Sequence, residues 1–188
     1  MRQPIGWEHR SLGGGWGGLK TFYMKQLLLI RHAKSDWSTP SLGDFDRPLN
    51  DRGKRDAPVM VQRLLDKKIR IDAFIASPAK RAKRTATIFA KAYKIDKDEI
   101  IFKEELYGAS PDAFLSLITK QSDKLDSIAI FSHNPGITDF ANGLTEHRID
   151  NIPTCGIFAV KIKTKHWSDF ENAQREFWFV DYPKAGQE

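Results

Sequence analysis

The sequence contains a single cysteine, Cys155, and no apolar run near the roughly 20 residues that a membrane-spanning helix requires. A lone cysteine cannot form an intramolecular disulfide, and no spacing of cysteine and histidine resembles a zinc site. The N-terminus also lacks the apolar stretch of a signal peptide. These absences favour a protein that is stabilised by core packing, works in a reducing, cytoplasmic setting and has no membrane partner.

The chain is long enough for about one domain, with 188 residues of which 40% are hydrophobic. Residues 1–23 carry six of the 13 glycines and show no apolar periodicity, which predicts a flexible extension. These glycines neither follow a strand nor open a helix, so they do not indicate a nucleotide-binding loop. We therefore expect one folded domain over residues 24–188.

Positive charge is concentrated in the middle of the chain. The net charge is +6, but residues 52–103 hold 15 Lys and Arg against six acidic side chains, a local charge of +9. Such a segment can attract nucleic acid, an acidic protein or a phosphorylated ligand. A solvated helix surface explains the lysines more simply, so a nucleic-acid partner is not favoured.

Strands and helices are predicted to alternate from Met24 onward. Helices are expected from about Asp51 to Lys67, with Pro58 marking a kink or the true start. Three more are expected at Ser77-Pro78, Ser110-Pro111 and Asn134-Pro135, each with the first residue as N-cap and the proline in the first turn. This alternation predicts an α/β fold, a three-layer α/β/α sandwich with a mostly parallel central sheet. The predicted strands are Gln26–Arg31, Asp72–Ala76, Ile100–Lys103, Ser127–Phe131, Gly156–Lys163 and Glu176–Asp181.

Charged and polar side chains follow three of these strands where each strand ends. The run LLLI ends in Arg31-His32, AFIA precedes Ser77 with Arg81 one turn beyond, and IAIF precedes Ser132-His133. If the three strands are parallel, their carboxyl ends lie at one edge of the sheet, where α/β proteins place their chemistry. The sequence therefore predicts a site with two histidines and two arginines.

These residue types suit a phosphoryl group. A guanidinium binds phosphate oxygens bidentately and stays charged at physiological pH. A neutral imidazole can attack phosphorus, and nearby arginines lower its pKa and keep it neutral. Taken singly, a histidine after a strand is more often a hydrogen-bonded structural residue than a catalytic one. The remaining three histidines, His9, His147 and His166, are expected at the surface.

The motifs LLLIRHAKSDW, DFDRPLNDRGKRDA, SPAKRAKRTA, EELYGASPD and SHNPGI, in this order, resemble the histidine phosphatase superfamily and its short SixA-like phosphohistidine phosphatases. The resemblance covers Met24 to Val180 and implies a phosphoglycerate-mutase-like fold. By the same resemblance His32 is the phosphorylated nucleophile, and Arg31, Arg81 and His133 complete the phosphate pocket.

The resemblance also suggests roles for neighbouring residues. Asn134 is expected to orient His133 or the ligand, and Lys34 and Ser35 are expected to contact the substrate around the phosphate. Trp37 could do the same, although a core or rim aromatic is the favoured interpretation. The DFDRPLN motif is expected to be a structural lead into the first helix, with Arg47 structural and Asn50 as the N-cap.

Two features depart from the superfamily pattern. Ala33 replaces the glycine that usually follows the nucleophile, which affects the shape of the loop more than its chemistry. Many members use a glutamate as proton donor to the leaving group, and here Glu104 fits the spacing better than Glu105. A donor is needed most when an alkoxide leaves, whereas a protonated phosphohistidine leaves more easily.

The short chain leaves little sequence for a lid, because Leu106 to Ile128 can form only one helix and its loops. An open pocket favours a phosphorylated protein, such as a phosphotransfer domain with phosphohistidine, as substrate. Two alternatives stay open: a small-molecule phosphomonoesterase of the same fold that acts on a phosphorylated metabolite, and a non-catalytic protein that binds an acidic partner. No metal or other cofactor is implied, because the arginines supply the positive charge.

Overall fold

The computed structural model describes residues 23–38 and 41–185. Its strands are β1 (Lys25–Arg31), β2 (Ala73–Ala76), β3 (Ile101–Phe102), β4 (Ser127–Ser132), β5 (Ile157–Lys163) and β6 (Gln174–Asp181). Its α-helices are α1 (Asp51–Asp66), α2 (Lys80–Ala92), α3 (Pro111–Thr119) and α4 (Gly136–Asn142). All six predicted strands are confirmed within a few residues. The predicted extension lies, except for Tyr23, outside the described residues, as does His9.

The six strands form one sheet in the order β3-β2-β4-β1-β5-β6. The pairings β3-β2, β2-β4 and β4-β1 are parallel, whereas β5 is antiparallel to both β1 and β6. The prediction of a mostly parallel sheet is therefore confirmed. The strands that carry the predicted site, β2, β4 and β1, are adjacent, so their carboxyl ends meet.

Both faces of the sheet are covered, and this explains the uninterrupted apolar run in β1. Leu28 and Ile30 face a core shared with α1 and α2, whereas Leu27 and Leu29 face a second core with α3 and α4. Successive side chains of a strand point to opposite faces, so a strand buried on both faces has no polar positions. The structure is thus the predicted three-layer α/β/α sandwich.

The helix starts agree with the sequence in part. Asn50 is the N-cap of α1, where its side chain accepts a hydrogen bond from the Gly53 amide at 2.9 Å, and Ser110 caps α3. Since α1 begins at Asp51, Pro58 lies inside the helix and does not mark its start. The last predicted helix, α4, begins at Gly136 with Pro135 as N-cap and no capping side chain, so Asn134 does not cap it, and the helix ends at Asn142.

Ser77 is not the N-cap of α2, as the sequence had suggested. The helix begins at Lys80 with Ala79 as N-cap, and no side chain caps it. The Ser77 hydroxyl lies 2.8 Å from His133 Nε2 and accepts a hydrogen bond from the Ala79 amide at 3.3 Å. The Ser77 hydroxyl therefore binds His133, which follows the neighbouring strand β4, and does not cap α2.

Most basic side chains of residues 52–103 are exposed, which confirms the solvated-surface interpretation of the lysines. Arg81 is the exception, with only 5% of its surface exposed. Among the helices of the described residues, none combines the length and the apolar character that crossing a membrane requires.

Candidate active site

The carboxyl ends of β1, β2 and β4 form one edge of the sheet. Arg31 pairs in register with Ser132, and Ala76 with Phe131. The next residues along the three strands, His32, Ser77 and His133, therefore emerge side by side. The rings of the two histidines lie 5.0 Å apart between centroids, so the predicted meeting of these groups is confirmed.

His32 has a defined tautomer because of its neighbour. Its Nδ1 lies 2.8 Å from the Ala33 carbonyl oxygen, which can only accept, so Nδ1 carries the proton. Nε2 is left with its lone pair, and Arg81 Nε donates to it at 3.2 Å. His32 is 7% exposed. This geometry presents an unprotonated ring nitrogen, the form required for nucleophilic attack.

Arg81 is connected to the loop after His32 through Thr85. The Ala33 amide donates to Thr85 Oγ1 at 3.0 Å, and Thr85 donates to the Arg81 carbonyl at 2.7 Å. Ala33 is fully buried and is not among the residues with positive φ, so this backbone does not require the family's usual glycine. His32 and Arg81 are therefore held together by the backbone as well as by their side chains.

His133 presents a free nitrogen to the same edge. Its Nε2 lies 2.8 Å from Ser77 Oγ, a buried hydroxyl that accepts from the Ala79 amide and, among the described residues, has no other acceptor for its own proton, so that proton is donated to His133 Nε2. In this tautomer Nδ1 carries the proton. Nδ1 is buried and has no hydrogen-bond partner among the described residues.

Arg31 is anchored by the loop that precedes β5. Its Nη1 donates to the Ile152 carbonyl at 2.8 Å and lies 3.5 Å from Asn151 Oδ1, whereas its buried Nε has no partner among the described residues. Asn134 binds the same carbonyl at 3.2 Å and accepts a hydrogen bond from Thr138 at 2.7 Å. Asn134 therefore connects the start of α4 to the loop that holds Arg31.

The electrostatic environment keeps both imidazoles neutral. Burial is the largest cause that lowers the pKa of His32 to about 3; the hydrogen bond to Ala33 opposes this shift, and electrostatic interactions with His133, Arg81 and Arg31 add to it. Burial, followed by the charge of Arg81, likewise lowers the pKa of His133 to about 3. The direction expected from the arginines is confirmed, and desolvation is the larger cause.

Asp44 and Tyr107 also lie at this site, although neither was predicted as a site residue from the sequence. Asp44 Oδ2 lies 2.8 Å from Arg81 Nη2 and accepts a hydrogen bond from the Tyr107 hydroxyl at 2.8 Å. The Tyr107 ring stands edge-on to His133, with centroids 5.5 Å apart. The one sequence signal for Asp44 is its position three residues before Arg47, with which it forms an ion pair at 2.8 Å.

Arg47 is structural, as expected, and it fixes the loop that carries Ser35. It is 7% exposed, its Nη1 donates to Ser35 Oγ at 3.0 Å, and its guanidinium lies 3.4 Å from the centre of the Trp37 ring. Trp37 is 69% exposed and therefore a rim aromatic. The Ser35 hydroxyl is thus engaged within the protein, and Lys34 contributes its carbonyl to the Asn50 amide at 3.0 Å.

Glu104 and Glu105 lie in a 3₁₀ turn, Glu104–Leu106, and both are exposed. Among the described residues, neither carboxylate forms a hydrogen bond or ion pair with the two histidines or with Arg31 and Arg81. The structure therefore does not bring these glutamates into the cluster. His147 and His166 are also exposed, as expected for surface histidines.

Comparison with known proteins shows which families and proteins this chain resembles. Residues 27–109, which contain His32, Arg81, Asp44 and Tyr107, match the histidine phosphatase superfamily (branch 1). An uncharacterized protein of Mycobacterium tuberculosis (strain H37Rv) is 28% identical over 152 residues, which cover 76% of this chain and 92% of the relative. A Bacillus subtilis protein, the uncharacterized phosphatase PhoE, is 35% identical over 101 residues, 52% of this chain and 51% of the relative.

Solved structures share the fold. A candidate phosphohistidine phosphatase SixA from Agrobacterium tumefaciens superposes with a TM-score of 0.70 and 25% identity, covering 85% of this chain and 98% of the other. The protein histidine phosphatase SixA complexed with tungstate has a TM-score of 0.72 at 18% identity, with 84% and 97% coverage. This fold supports a hydrolase that acts on phosphoryl groups. The sequence match over residues 27–109 and the SixA-like architecture agree, and together they support the histidine phosphatase superfamily, SixA-like branch, as the family of this chain.

Proposed function

We propose that this protein hydrolyses phosphoryl groups through a covalent phosphohistidine on His32. Nε2 of His32 attacks phosphorus, and the bond to the leaving group breaks as the Nε2–P bond forms. Water then attacks the phosphohistidine, releases inorganic phosphate and restores the neutral imidazole. Arg31, Arg81 and His133 stabilise the negative charge on the equatorial oxygens, which is the main catalytic contribution in phosphoryl transfer.

The observation that carries this proposal is a pair of buried donors without partners. In the described part of the chain, three buried side-chain polar atoms have no hydrogen-bond partner, and two of them, Arg31 Nε and His133 Nδ1, belong to the residue before His32 and to the histidine whose ring lies 5.0 Å from it. Leaving a buried donor unpaired costs about 1 to 3 kcal/mol. An anion with several acceptor oxygens could accept hydrogen bonds from both donors. A phosphoryl group bound next to His32 Nε2 is such an anion.

The shape of this region favours a phosphorylated protein as substrate, above all one that carries phosphohistidine. The segment between Tyr107 and Ser127 forms only α3 and short connections, and α3 packs on the core through Phe114, Leu117 and Ile118. It contributes no lid over His32. The same substrate class is supported by the similar solved structures that are named SixA phosphohistidine phosphatases. One of them holds tungstate, a phosphate-like anion.

Glu104 stays a candidate proton donor for substrates with an oxygen leaving group, and Glu105 is its alternative. Lys34, Ser35 and Asn134 stay candidates for contact with the substrate around the phosphate. The proposed reaction needs no metal ion, because the guanidinium groups of Arg31 and Arg81 supply the positive charge.

Replacing Ser77 by alanine is expected to lower kcat about tenfold. The variant removes the hydroxyl that orients His133 through Nε2, and one hydrogen bond contributes about 1 kcal/mol. Steady-state kinetics with an aryl phosphate give the measurement, and Ser127→Ala is the matched control, because Ser127 is buried at the opposite end of β4 with an unpaired Oγ. Equal kcat values for Ser77→Ala and the parent would show that Ser77 does not position His133.

The experiment that tests the proposed function compares two substrates in EDTA, a phosphotransfer protein carrying phosphohistidine and an aryl phosphomonoester. We expect phosphate release from the phosphohistidine with the higher kcat/KM, undiminished by EDTA. Activity mainly on the monoester would instead assign a small-molecule phosphomonoesterase. Binding of an acidic partner without any hydrolysis, weakening steeply with salt, would indicate a non-catalytic protein.

A further inference from the structure

The carboxylate of Asp44 lies at the candidate active site and has no place in the reaction proposed above. It comes from a 3₁₀ turn, Asp44–Asp46, that packs against α2. Arg81 connects it to the nucleophile, because Nε of that guanidinium donates to His32 Nε2 at 3.2 Å and Nη2 to Asp44 Oδ2 at 2.8 Å. The negative charge is therefore one guanidinium group away from the atom that attacks phosphorus.

Several donors hold Asp44 in its ionised form. Desolvation opposes the charge, but hydrogen bonds from Tyr107 and Arg81, the charge of Arg81 and a hydrogen bond from Arg47 lower the pKa to about 2. Arg47 binds Oδ1 through Nε at 3.0 Å and Nη2 at 2.8 Å, and Arg47 is itself buried against Ser35. Asp44 thus cannot serve as a proton donor at neutral pH, but its carboxylate can accept a hydrogen bond from an N–H group.

The carboxylate is also accessible from solvent, since 48% of its side chain is exposed. A phosphoryl oxygen that binds Arg81 Nη2 replaces Asp44 Oδ2 as the acceptor of that donor. Oδ2 then has a free lone pair beside the bound phosphoryl group. A leaving group with an N–H at this position gains a charge-assisted hydrogen bond, whereas a leaving oxygen that develops negative charge is repelled.

We propose that Asp44 is a specificity-determining residue that selects phosphoramidate substrates with a cationic N–H leaving group, such as phosphohistidine, over phosphomonoesters. This inference rests on the proposed phosphatase function. His32 Nε2 forms a bond to phosphorus while the substrate P–N bond breaks, and the bonding electron pair stays on the leaving nitrogen. The ring arrives protonated on its second nitrogen, so it leaves as neutral imidazole, with that N–H donated to Asp44.

The test compares kcat/KM on phosphoimidazole and on an aryl phosphate for the parent and for Asp44→Asn. We expect the variant to lose about tenfold or more on phosphoimidazole, because a charge-assisted hydrogen bond becomes a neutral one. On the aryl phosphate the kcat/KM of the variant should equal or exceed that of the parent, because the carboxylate that repels the leaving oxygen is no longer present. The ratio of the two kcat/KM values is therefore expected to change by at least about tenfold.

Asp46→Asn is the matched control. Asp46 occupies the same 3₁₀ turn, is exposed, and among the described residues its carboxylate forms no ion pair with Arg81 or Arg47. Its ratio should equal that of the parent, and thermal unfolding should confirm that both variants are folded. The proposal is overturned if Asp44→Asn changes both substrates by the same factor. An equal loss would mean that Asp44 only holds Arg81 in place, and an equal gain that it only competes with phosphate.

The two proposals fail in different ways. If the parent releases no phosphate from either substrate, both the proposed function and the specificity role of Asp44 are wrong. If the parent cleaves both substrates and the ratio is unchanged in Asp44→Asn, only the specificity role is wrong.

Discussion

Substitution of His32 by asparagine is expected to lower kcat/KM at least about 10³-fold, because the variant has no ring nitrogen to form the covalent intermediate. Asparagine retains a polar side chain of similar reach, so it can still bond to the Ala33 carbonyl. The parent imidazole is neutral well below pH 7, since its pKa is lowered to about 3. The loss in the variant is therefore expected across the whole neutral range and not only at one pH.

The measurement is rapid quenching of the enzyme with a ³²P-labelled substrate. The parent should carry label that is lost in acid and retained in alkali, as a phosphorus–nitrogen bond requires, whereas His32→Asn should carry none. His147→Asn is the control, since His147 is exposed, stacks on Phe177 and, among the described residues, its ring forms no hydrogen bond with His32, Arg31, Arg81 or His133. Turnover by His32→Asn near the parental rate would refute the covalent mechanism.

The placement of the main site residues could be predicted because it follows from strand direction alone. A strand such as LLLI that is apolar at every position must be buried on both faces, which requires helices on both sides and favours parallel pairing. Arg31 and His32, and then His133, directly follow such strands, so their meeting at one edge depends only on topology. Arg81 follows the third strand by less than two helical turns, which places it at the same edge.

The contacts of Asp44 could not be predicted in the same way. Asp44 contacts Arg81, which is 37 positions further along the chain, and Tyr107, which is 63 positions further. These contacts depend on the paths of a turn and a loop, which strand periodicity does not predict. Ser77 was misassigned for a related reason. A serine before a proline has the pattern of an N-cap, and only the position of His133 on the neighbouring strand shows that the hydroxyl serves another partner.

The tautomers of the two histidines also depend on distances that the sequence does not contain. His32 Nε2 is free to attack because Nδ1 donates to the carbonyl of the adjacent residue, Ala33. His133 Nδ1 is free to donate because Ser77 engages Nε2. The family resemblance named His32 as the nucleophile, but the geometric reason for proposing one histidine as nucleophile and the other as donor lies in these two hydrogen bonds.

Substitution of Arg81 by lysine is expected to lower kcat about 10²-fold to 10³-fold, although the charge is conserved. Arg81 donates through Nε to His32 and through Nη2 to Asp44, so one planar group orients the nucleophile and presents a second donor beside it. A lysine ammonium has a single nitrogen and cannot hold both geometries at once. The attraction to a phosphate would remain, but the alignment of His32 Nε2 would be lost.

Kinetics on the phosphohistidine protein separate these two contributions. Loss of alignment lowers kcat, whereas loss of charge raises KM, so Arg81→Lys should act mainly on kcat. Arg84→Lys on the exposed surface of the same helix is the matched control and should leave both constants unchanged. If Arg81→Lys retains the parental kcat, Arg81 provides only positive charge, and the bond from its Nε to His32 does not contribute to catalysis. A fall confined to kcat would instead show that the fork geometry of the guanidinium, and not its charge alone, is what the reaction requires at this position.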